Sequence, residues 1–298
     1  MTEPNFLIIG AAKAGTTAIY NYLNQHPDIY MSPVKEPMFF AFEDEKPNFC
    51  GPRSETINQS IADLASYQSL FKNMGNAIAV GEASPIYLYS KKAPARIAHH
   101  LPNVKLIAIL RNPVERAYSH YLMLVRNGVE QSNSFSEALN QEESRIQKHQ
   151  LPAIPYLQGG FYNTQLIRYY ERFHPSQIRV YLYEDLTQNS PGLFNDVFSF
   201  LGVNPTFVPD TSVKHNVSGV PRNRFLNNLI NQSNPFKLIT QIMLPKEIRK
   251  RITGSIQNYN LAKPSMPLEA RNYLKTIYQS EIEQLQSLID RDLSHWLN

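Results

Sequence analysis

The sequence contains very little cysteine. Cys50 is the single cysteine among 298 residues, so no disulfide can form within the chain, which fits a reducing compartment. Long apolar runs are also missing. The first run, from Phe6 to Ile9, is far shorter than the apolar core of a signal peptide, and no stretch approaches the roughly 20 apolar residues of a membrane span. We therefore expect a soluble, cytoplasmic protein without stable membrane insertion.

An excess of charge of one sign is likewise absent. The chain has 29 basic and 25 acidic residues and a formal net charge of +4. This excess is too small to indicate nucleic-acid binding, but it suits a small anionic ligand. The hydrophobic content of 42% is that of a globular protein. Because no repeat or low-complexity linker interrupts the chain, we expect one domain over 1–298, with a nucleotide-binding core at about 5–225 and a helical part at about 226–298.

Short apolar runs separated by helical patterns indicate the fold class. They predict buried strands at Phe6–Gly10, 77–81, 104–110 and 178–183. This alternation is typical of an α/β fold in which helices flank a central parallel sheet. Beyond about residue 185 the pattern becomes helical and predicts helices at 193–201, 222–231 and 268–296.

A loop of small residues joins the first predicted strand to a helix. Gly10 and Gly15 permit a close approach of the backbone, and N–H groups at the start of a helix attract anions. The two glycines and Thr17 have the spacing of a P-loop, but Thr16 occupies the position of the P-loop lysine and Lys13 lies inside the loop. A plain turn between strand and helix remains the alternative. The loop otherwise predicts an anion site that lacks the lysine position of a kinase P-loop.

A second anion site is predicted after the third of these strands. Arg111 follows the strand directly, Pro113 suits the first turn of a helix, and Ser119 lies about two turns further on. Ligands of open α/β sheets bind at the carboxyl ends of strands, where an arginine fork and a hydroxyl could hold a phosphate. An ion pair of Arg111 with Glu115 is the alternative.

Taken together, the two segments resemble the sulfotransferases that use 3′-phosphoadenosine 5′-phosphosulfate (PAPS). The resemblance covers roughly residues 6–225 and is closest to the heparan-sulfate type and its bacterial relatives. Further matching runs are His26-Pro27, Lys35-Glu36-Pro37-Met38-Phe39-Phe40 and Gly81-Glu82-Ala83-Ser84-Pro85. The resemblance implies a P-loop-like, nucleotide-kinase-like core that transfers a sulfuryl group from PAPS to a hydroxyl or amine by in-line displacement. It also implies that adenosine 3′,5′-bisphosphate (PAP) is the product and that no metal is required.

The resemblance also implies roles for individual residues. Lys13 would stabilise the bridging oxygen as it leaves, and Arg111 and Ser119 would hold the 3′-phosphate. The residues implied for the 5′-phosphate are Lys13, Ala14, Gly15, Thr16 and Thr17. Those implied for the adenine and for a closing loop are Tyr183, Ser218, Gly219 and Arg222.

Glu36 matches the carboxylate that acts as the base in the heparan-sulfate 3-O type, where an acceptor hydroxyl must lose its proton. The chain departs from that branch at Met38, Ala41 and Ala83, where the branch has histidine, aspartate and lysine. Glu82 is therefore a second candidate for the base.

The acceptor is not specified by these motifs, and a small molecule, a glycan or a lipid all remain open. Variable loops usually contact the acceptor, here at about 41–60, 126–160 and 232–265. Two other functions remain open as well: a nucleotide kinase of the P-loop type, and a nucleotide-binding protein without catalysis. The sequence does not predict an oligomeric state.

Overall fold

The protein is described by a computed structural model that covers residues 3–52, 54–150, 153–212, 220–221, 261–262 and 264–298. Its centre is a parallel sheet of five strands in the order β2-β3-β1-β4-β5. The strands are β1 Phe6–Gly10, β2 Ile29–Met31, β3 Ala79–Ala83, β4 Lys105–Leu110 and β5 Ile178–Leu182. A separate antiparallel pair is formed by β6 Val220–Pro221 and β7 Leu261–Ala262.

Helices separate and follow the strands. In chain order they are α1 Thr16–Leu23, α2 Phe39–Phe42, α3 Ser54–Asn58, α4 Leu64–Ser69, α5 Ile86–Tyr89, α6 Ala93–His100, α7 Pro113–Arg126, α8 Phe135–Asn140, α9 Glu142–Gln147, α10 Tyr162–Tyr170, α11 Tyr183–Gln188, α12 Ser190–Leu201 and α13 Leu268–Ile289. Single 3₁₀ turns lie at Gln158–Gly160, Pro175–Gln177 and Ser294–Trp296.

Burial explains why the central strands are continuous apolar runs. Every residue of β1 is buried, and β4 is buried from Leu106 to Leu110. Since successive side chains of a strand point to opposite faces, both faces of the sheet are covered by helices. The predicted α/β class with a parallel sheet is confirmed.

The third strand lies two residues later than predicted, at Ala79–Ala83 instead of 77–81. Ile78 is 53% exposed, whereas Glu82 and Ala83 are fully buried. The predicted strand stopped before Glu82, but in this protein the strand continues through this residue and the Glu82 side chain points into the interior. β2 was not predicted, because its three residues are too few to show a pattern.

The C-terminal helix is shorter than predicted. It ends at Ile289, because Asp290 has a φ of 50° and leaves the helical conformation. Trp296 belongs to the separate 3₁₀ turn that follows. Its indole Nε1 donates to Glu184 at 3.1 Å, and its carbonyl accepts a hydrogen bond from Asn112 at 3.1 Å. The C-terminus is thus attached beside the end of β4.

The predicted helix at 193–201 is confirmed within α12, and the one at 222–231 lies outside the described residues. The boundary near 225 between the core and the helical part lies there too. In the ranges that the structure describes, no helix has both the length and the apolar character needed to cross a membrane.

Candidate active site

A cavity of about 240 Å³ lies at the carboxyl ends of the strands. Its wall includes one residue that follows each of the five strands: Lys13 after β1, Glu36 after β2, Pro85 after β3, Arg111 after β4 and Tyr183 after β5. This edge is where open parallel sheets bind their ligands. The topology therefore brings together residues that are far apart in the sequence.

The start of α1 forms one side of this cavity. Gly15, Thr16 and Thr17 line it, and no side chain caps the helix. The first N–H groups of a helix have no partner within the helix, so they are available to an anion. Gly15 has a φ of 100°, and a Cβ placed there would lie 2.8 Å from Leu186 Cδ2. The φ value favours glycine at this position, and an added Cβ would also displace the Leu186 side chain.

Lys13 has a left-handed backbone with a φ of 70°. Its ammonium donates to Met123 Sδ at 3.4 Å. The pKa of this amine is lowered to about 8, first by burial and then by the neighbouring cations Arg126 and Arg111. A cation held among other cations attracts an anionic ligand strongly, because the ligand relieves their mutual repulsion.

Arg111 lies closer to the Lys13 loop than the sequence order suggests. Because β1 and β4 are neighbours in the sheet, Arg111 Nη1 donates to the Lys13 carbonyl at 3.3 Å. The guanidinium also stacks on the Tyr183 ring, 5.0 Å from its centroid. Ser119, on α7, is 5% exposed and lines the same cavity. The two predicted phosphate-binding segments thus belong to one site.

Glu36 reaches the cavity from a segment that lies against β3. Its N–H donates to the carbonyl of Ala83 at 3.1 Å, and its carboxylate forms an ion pair with Lys35. Its φ is 64°, a conformation that non-glycine residues seldom adopt and that is often found at functional sites. Glu82, the other candidate base, is fully buried and is not among the residues that line the cavity.

Sequence reasoning did not assign a role to several residues of α7 that belong to this site. Met123 and His120 line the cavity, and Arg126 is close enough to lower the pKa of Lys13. Ser119, Met123 and Arg126 are spaced by four and three residues, which places them on one face of the helix. This spacing is the feature of the sequence that could have identified Met123 and Arg126 as residues of the site. The pKa of His120 is lowered well below its usual value, first by burial and then by Arg116 and Lys13.

The remaining predicted residues fall into two groups. Ala14 is fully buried under the loop, and its N–H donates to the carbonyl of Ala11 at 3.2 Å. Ser218, Gly219 and Arg222 lie outside the described residues. Within the described ranges, no three His, Cys, Asp or Glu side chains are grouped so that they could hold a metal ion.

Comparison with known proteins identifies the family. The family model of the sulfotransferase domain matches residues 3–287, so the chain belongs to this family. The solved structure of a sulfotransferase from Alicyclobacillus acidocaldarius aligns with a TM-score of 0.78 and 34% identity, covering 99% of each chain. The prediction of a sulfotransferase with a single-domain α/β fold is confirmed, together with the P-loop-like core of that family. The nucleotide-kinase alternative is not favoured.

Similar curated proteins are larger than this chain. Human carbohydrate sulfotransferase 15 is 28% identical over 251 residues, which cover 68% of this chain and 44% of that protein. Bovine bifunctional heparan sulfate N-deacetylase/N-sulfotransferase 2 is 30% identical over 211 residues, covering 68% of this chain and 22% of that protein. The matched region therefore spans less than half the length of either relative.

Proposed function

We propose that this chain transfers a sulfuryl group from PAPS to an acceptor hydroxyl or amine. One observation carries the proposal. The uncapped start of α1, Lys13, Arg111 and Ser119 all line a single cavity, and the Glu36 carboxylate lines it too. The start of α1 and the three side chains fit a ligand that carries phosphates at two positions. The Glu36 carboxylate fits the role of the base.

The reaction proceeds by in-line displacement in this proposal. The acceptor oxygen or nitrogen forms a bond to sulfur while the bond from sulfur to the 5′-phosphate oxygen breaks, and PAP leaves with that oxygen. Glu36 takes the proton that the acceptor loses. Lys13 and the first N–H groups of α1 stabilise the negative charge that develops on the leaving oxygen. The charge on the 3′-phosphate is balanced by Arg111, while Ser119 donates to it.

Tyr183 completes the donor site in this proposal. Its ring supports the Arg111 guanidinium and lines the cavity, so it is placed to pack against the adenosine. Closure by Ser218, Gly219 and Arg222 stays a prediction from the sequence. The same holds for the cytoplasmic location.

The acceptor is proposed to be rich in hydroxyls and not strongly anionic. A second cavity of about 260 Å³ is lined by residues 50–52 and by parts of the segment 129–150, two regions that were predicted to contact the acceptor. Gln131, Ser132 and Gln141 contribute uncharged polar groups to it. Among the described residues that line it there is one arginine, Arg145, which is already paired with Glu130 through two hydrogen bonds of 2.7 and 2.9 Å. In the part of this cavity that the structure describes, no surplus of cations favours a polyanion.

An acceptor screen tests this part of the proposal. PAP release is measured with PAPS and a panel of neutral oligosaccharides, sulfated oligosaccharides, phenols and lipid alcohols. We expect the neutral oligosaccharides to give the fastest release. If the sulfated glycans alone are turned over, the assignment of the second cavity is wrong.

The base assignment is tested by Glu36→Gln. Loss of a general base typically lowers the rate by about 10²–10⁴-fold, whereas the affinity for PAP should change little because the amide keeps the shape of the carboxyl group. Glu171→Gln is the matched control, since Glu171 is an exposed carboxylate paired with Arg172 outside the cavity. A Glu36→Gln enzyme as fast as this control would contradict the assignment.

A further inference from the structure

The segment that carries Glu36 has an unusual backbone. Both Glu36 and Met38 are left-handed, with φ values of 64° and 62°. Such conformations in non-glycine residues persist only where the surrounding structure fixes them. The contacts of residues 36–40 with β3 and α5 show what fixes them here.

One hydrogen-bond relay connects this segment to Glu82 through Ser84. The N–H of Met38 donates to Ser84 Oγ at 3.1 Å, and Ser84 Oγ donates to Glu82 Oε2 at 2.9 Å. The direction is fixed, because a backbone N–H can only donate. The hydroxyl oxygen of Ser84 therefore accepts from Met38, and its single proton goes to the carboxylate.

A second relay reaches the same carboxylate through Tyr87. The N–H of Phe40 donates to Tyr87 Oη at 3.4 Å, and the Tyr87 hydroxyl is hydrogen-bonded to Glu82. As in the first relay, the hydroxyl accepts from a backbone N–H and donates to Glu82. Tyr67 also donates to Glu82, at 3.4 Å, but its hydroxyl does not continue to the backbone of this segment.

We propose that Glu82 is a positioning residue for Glu36. Its fully buried carboxylate is the common acceptor at which both relays end, and it holds residues 36–40 in the conformation that places Glu36 in the cavity. The inference rests on the proposed role of Glu36 as the base. It assigns a function to a buried acidic residue that lies inside the sheet and does not itself line the cavity.

The ionisation of Glu82 should make the positioning of Glu36 depend on pH. Burial raises the pKa of this carboxyl group to about 7, although hydrogen bonds from Tyr87, Ser84 and Tyr67 oppose the shift. Protonated Glu82 would carry a proton that itself needs an acceptor, so one of the three hydroxyls would have to stop donating to the carboxyl group. Other ionisable groups that interact with Glu82 are Glu36, which raises its pKa, and Tyr169. The pKa values of Tyr67 and Tyr87 are raised well above 10, so both stay neutral.

The test compares variants that interrupt the relays with one that does not. Ser84→Ala and Tyr87→Phe each break one relay, and Glu82→Gln changes the acceptor of both. We expect kcat to fall about 10- to 100-fold, the range for a misplaced catalytic group, while the PAP dissociation constant stays within about twofold. Tyr67→Phe is the matched control. It also removes a donor to Glu82, but no relay, and should lower kcat less than about threefold.

A second background separates positioning from general stabilisation. In Glu36→Gln, the further change Glu82→Gln should lower kcat less than about twofold, because the group that it positions is already gone. Protonation of Glu82 as the pH falls through about 7 should lower kcat in the wild type, and this acidic limb should disappear in Glu82→Gln. If Glu82→Gln does not fold, Ser84→Ala and Tyr87→Phe give the same comparison.

The outcomes distinguish this inference from the proposed function. If Glu36→Gln is impaired while both relay variants match Tyr67→Phe, the positioning role is wrong and the base assignment stands. If Glu36→Gln retains the wild-type kcat, the base assignment and the positioning role both fail. Equal losses from Glu82→Gln with and without Glu36, together with weaker PAP binding, would show that Glu82 only stabilises the fold.

Discussion

Arg111→Ala should weaken PAP binding far more than the binding of adenosine 5′-phosphosulfate, which lacks the 3′-phosphate. A hydrogen bond between charged groups contributes about 1.5–3 kcal/mol, which corresponds to roughly ten- to a hundredfold in affinity. The structure adds a second effect. Arg111 also donates to the Lys13 carbonyl at 3.3 Å and stacks on Tyr183. Loss of these contacts weakens the binding of both nucleotides.

Calorimetry with both ligands and both proteins separates the two effects. The contacts with Lys13 and Tyr183 contribute equally to the two ligands and cancel in the double difference, which leaves the contact with the 3′-phosphate. We expect this difference to be at least about tenfold in the dissociation constants. Arg111→Lys is the control that keeps the charge but loses the planar fork, and it should give a smaller difference. Equal losses for the two nucleotides would show that Arg111 only supports the loop and that the 3′-phosphate binds elsewhere.

Four further predictions concern the same cavity. Lys13→Ala should lower turnover about 10²–10³-fold, and activity within about fivefold of wild type would remove Lys13 from the mechanism. Because the pKa of Lys13 is lowered to about 8, the ammonium is lost as the pH rises through that value; kcat/KM for PAPS should therefore fall above pH 8, and Lys13→Arg should move this limb to higher pH. Gly15→Ala should weaken PAP binding, since its Cβ would lie 2.8 Å from Leu186 Cδ2 and would displace that side chain beside the loop. Gly51→Ala, with a similar φ of 109° but no atom within 4 Å, should leave PAP binding intact. Similar PAP affinities in the two variants would contradict the tight loop geometry. Turnover should survive EDTA, and a loss that Mg²⁺ restores would favour metal-dependent phosphoryl transfer.

The parts of the fold that could be predicted are those with an unbroken apolar pattern. β1 and β4 were found because their runs are fully buried on both faces. β3 was placed two residues early, because Glu82 interrupts the apolar run in the sequence and the predicted strand therefore stopped before it. Only tertiary contacts show that Tyr67, Ser84 and Tyr87 supply the hydrogen bonds that make this burial possible.

The site was predicted residue by residue, but its arrangement was not. Lys13, Glu36, Arg111, Ser119 and Tyr183 were all named from the sequence, and all line the cavity. The direct contact of Arg111 with the Lys13 loop depends on β4 lying beside β1, and strand order cannot be read from the order along the chain. For the same reason, Glu36 and Glu82 could not be ranked as bases before the position of the cavity was known.

In the proposed reaction, this chain moves a sulfuryl group from PAPS to an acceptor. The most direct test of this reaction follows PAPS that carries radiolabelled sulfur, with the best acceptor of the screen, and measures the label in the acceptor and the PAP formed in the same samples. We expect equal amounts of the two products in wild type and neither product above background in Lys13→Ala. PAP that accumulates without label in the acceptor, or label transfer that is unchanged in Lys13→Ala, would contradict it.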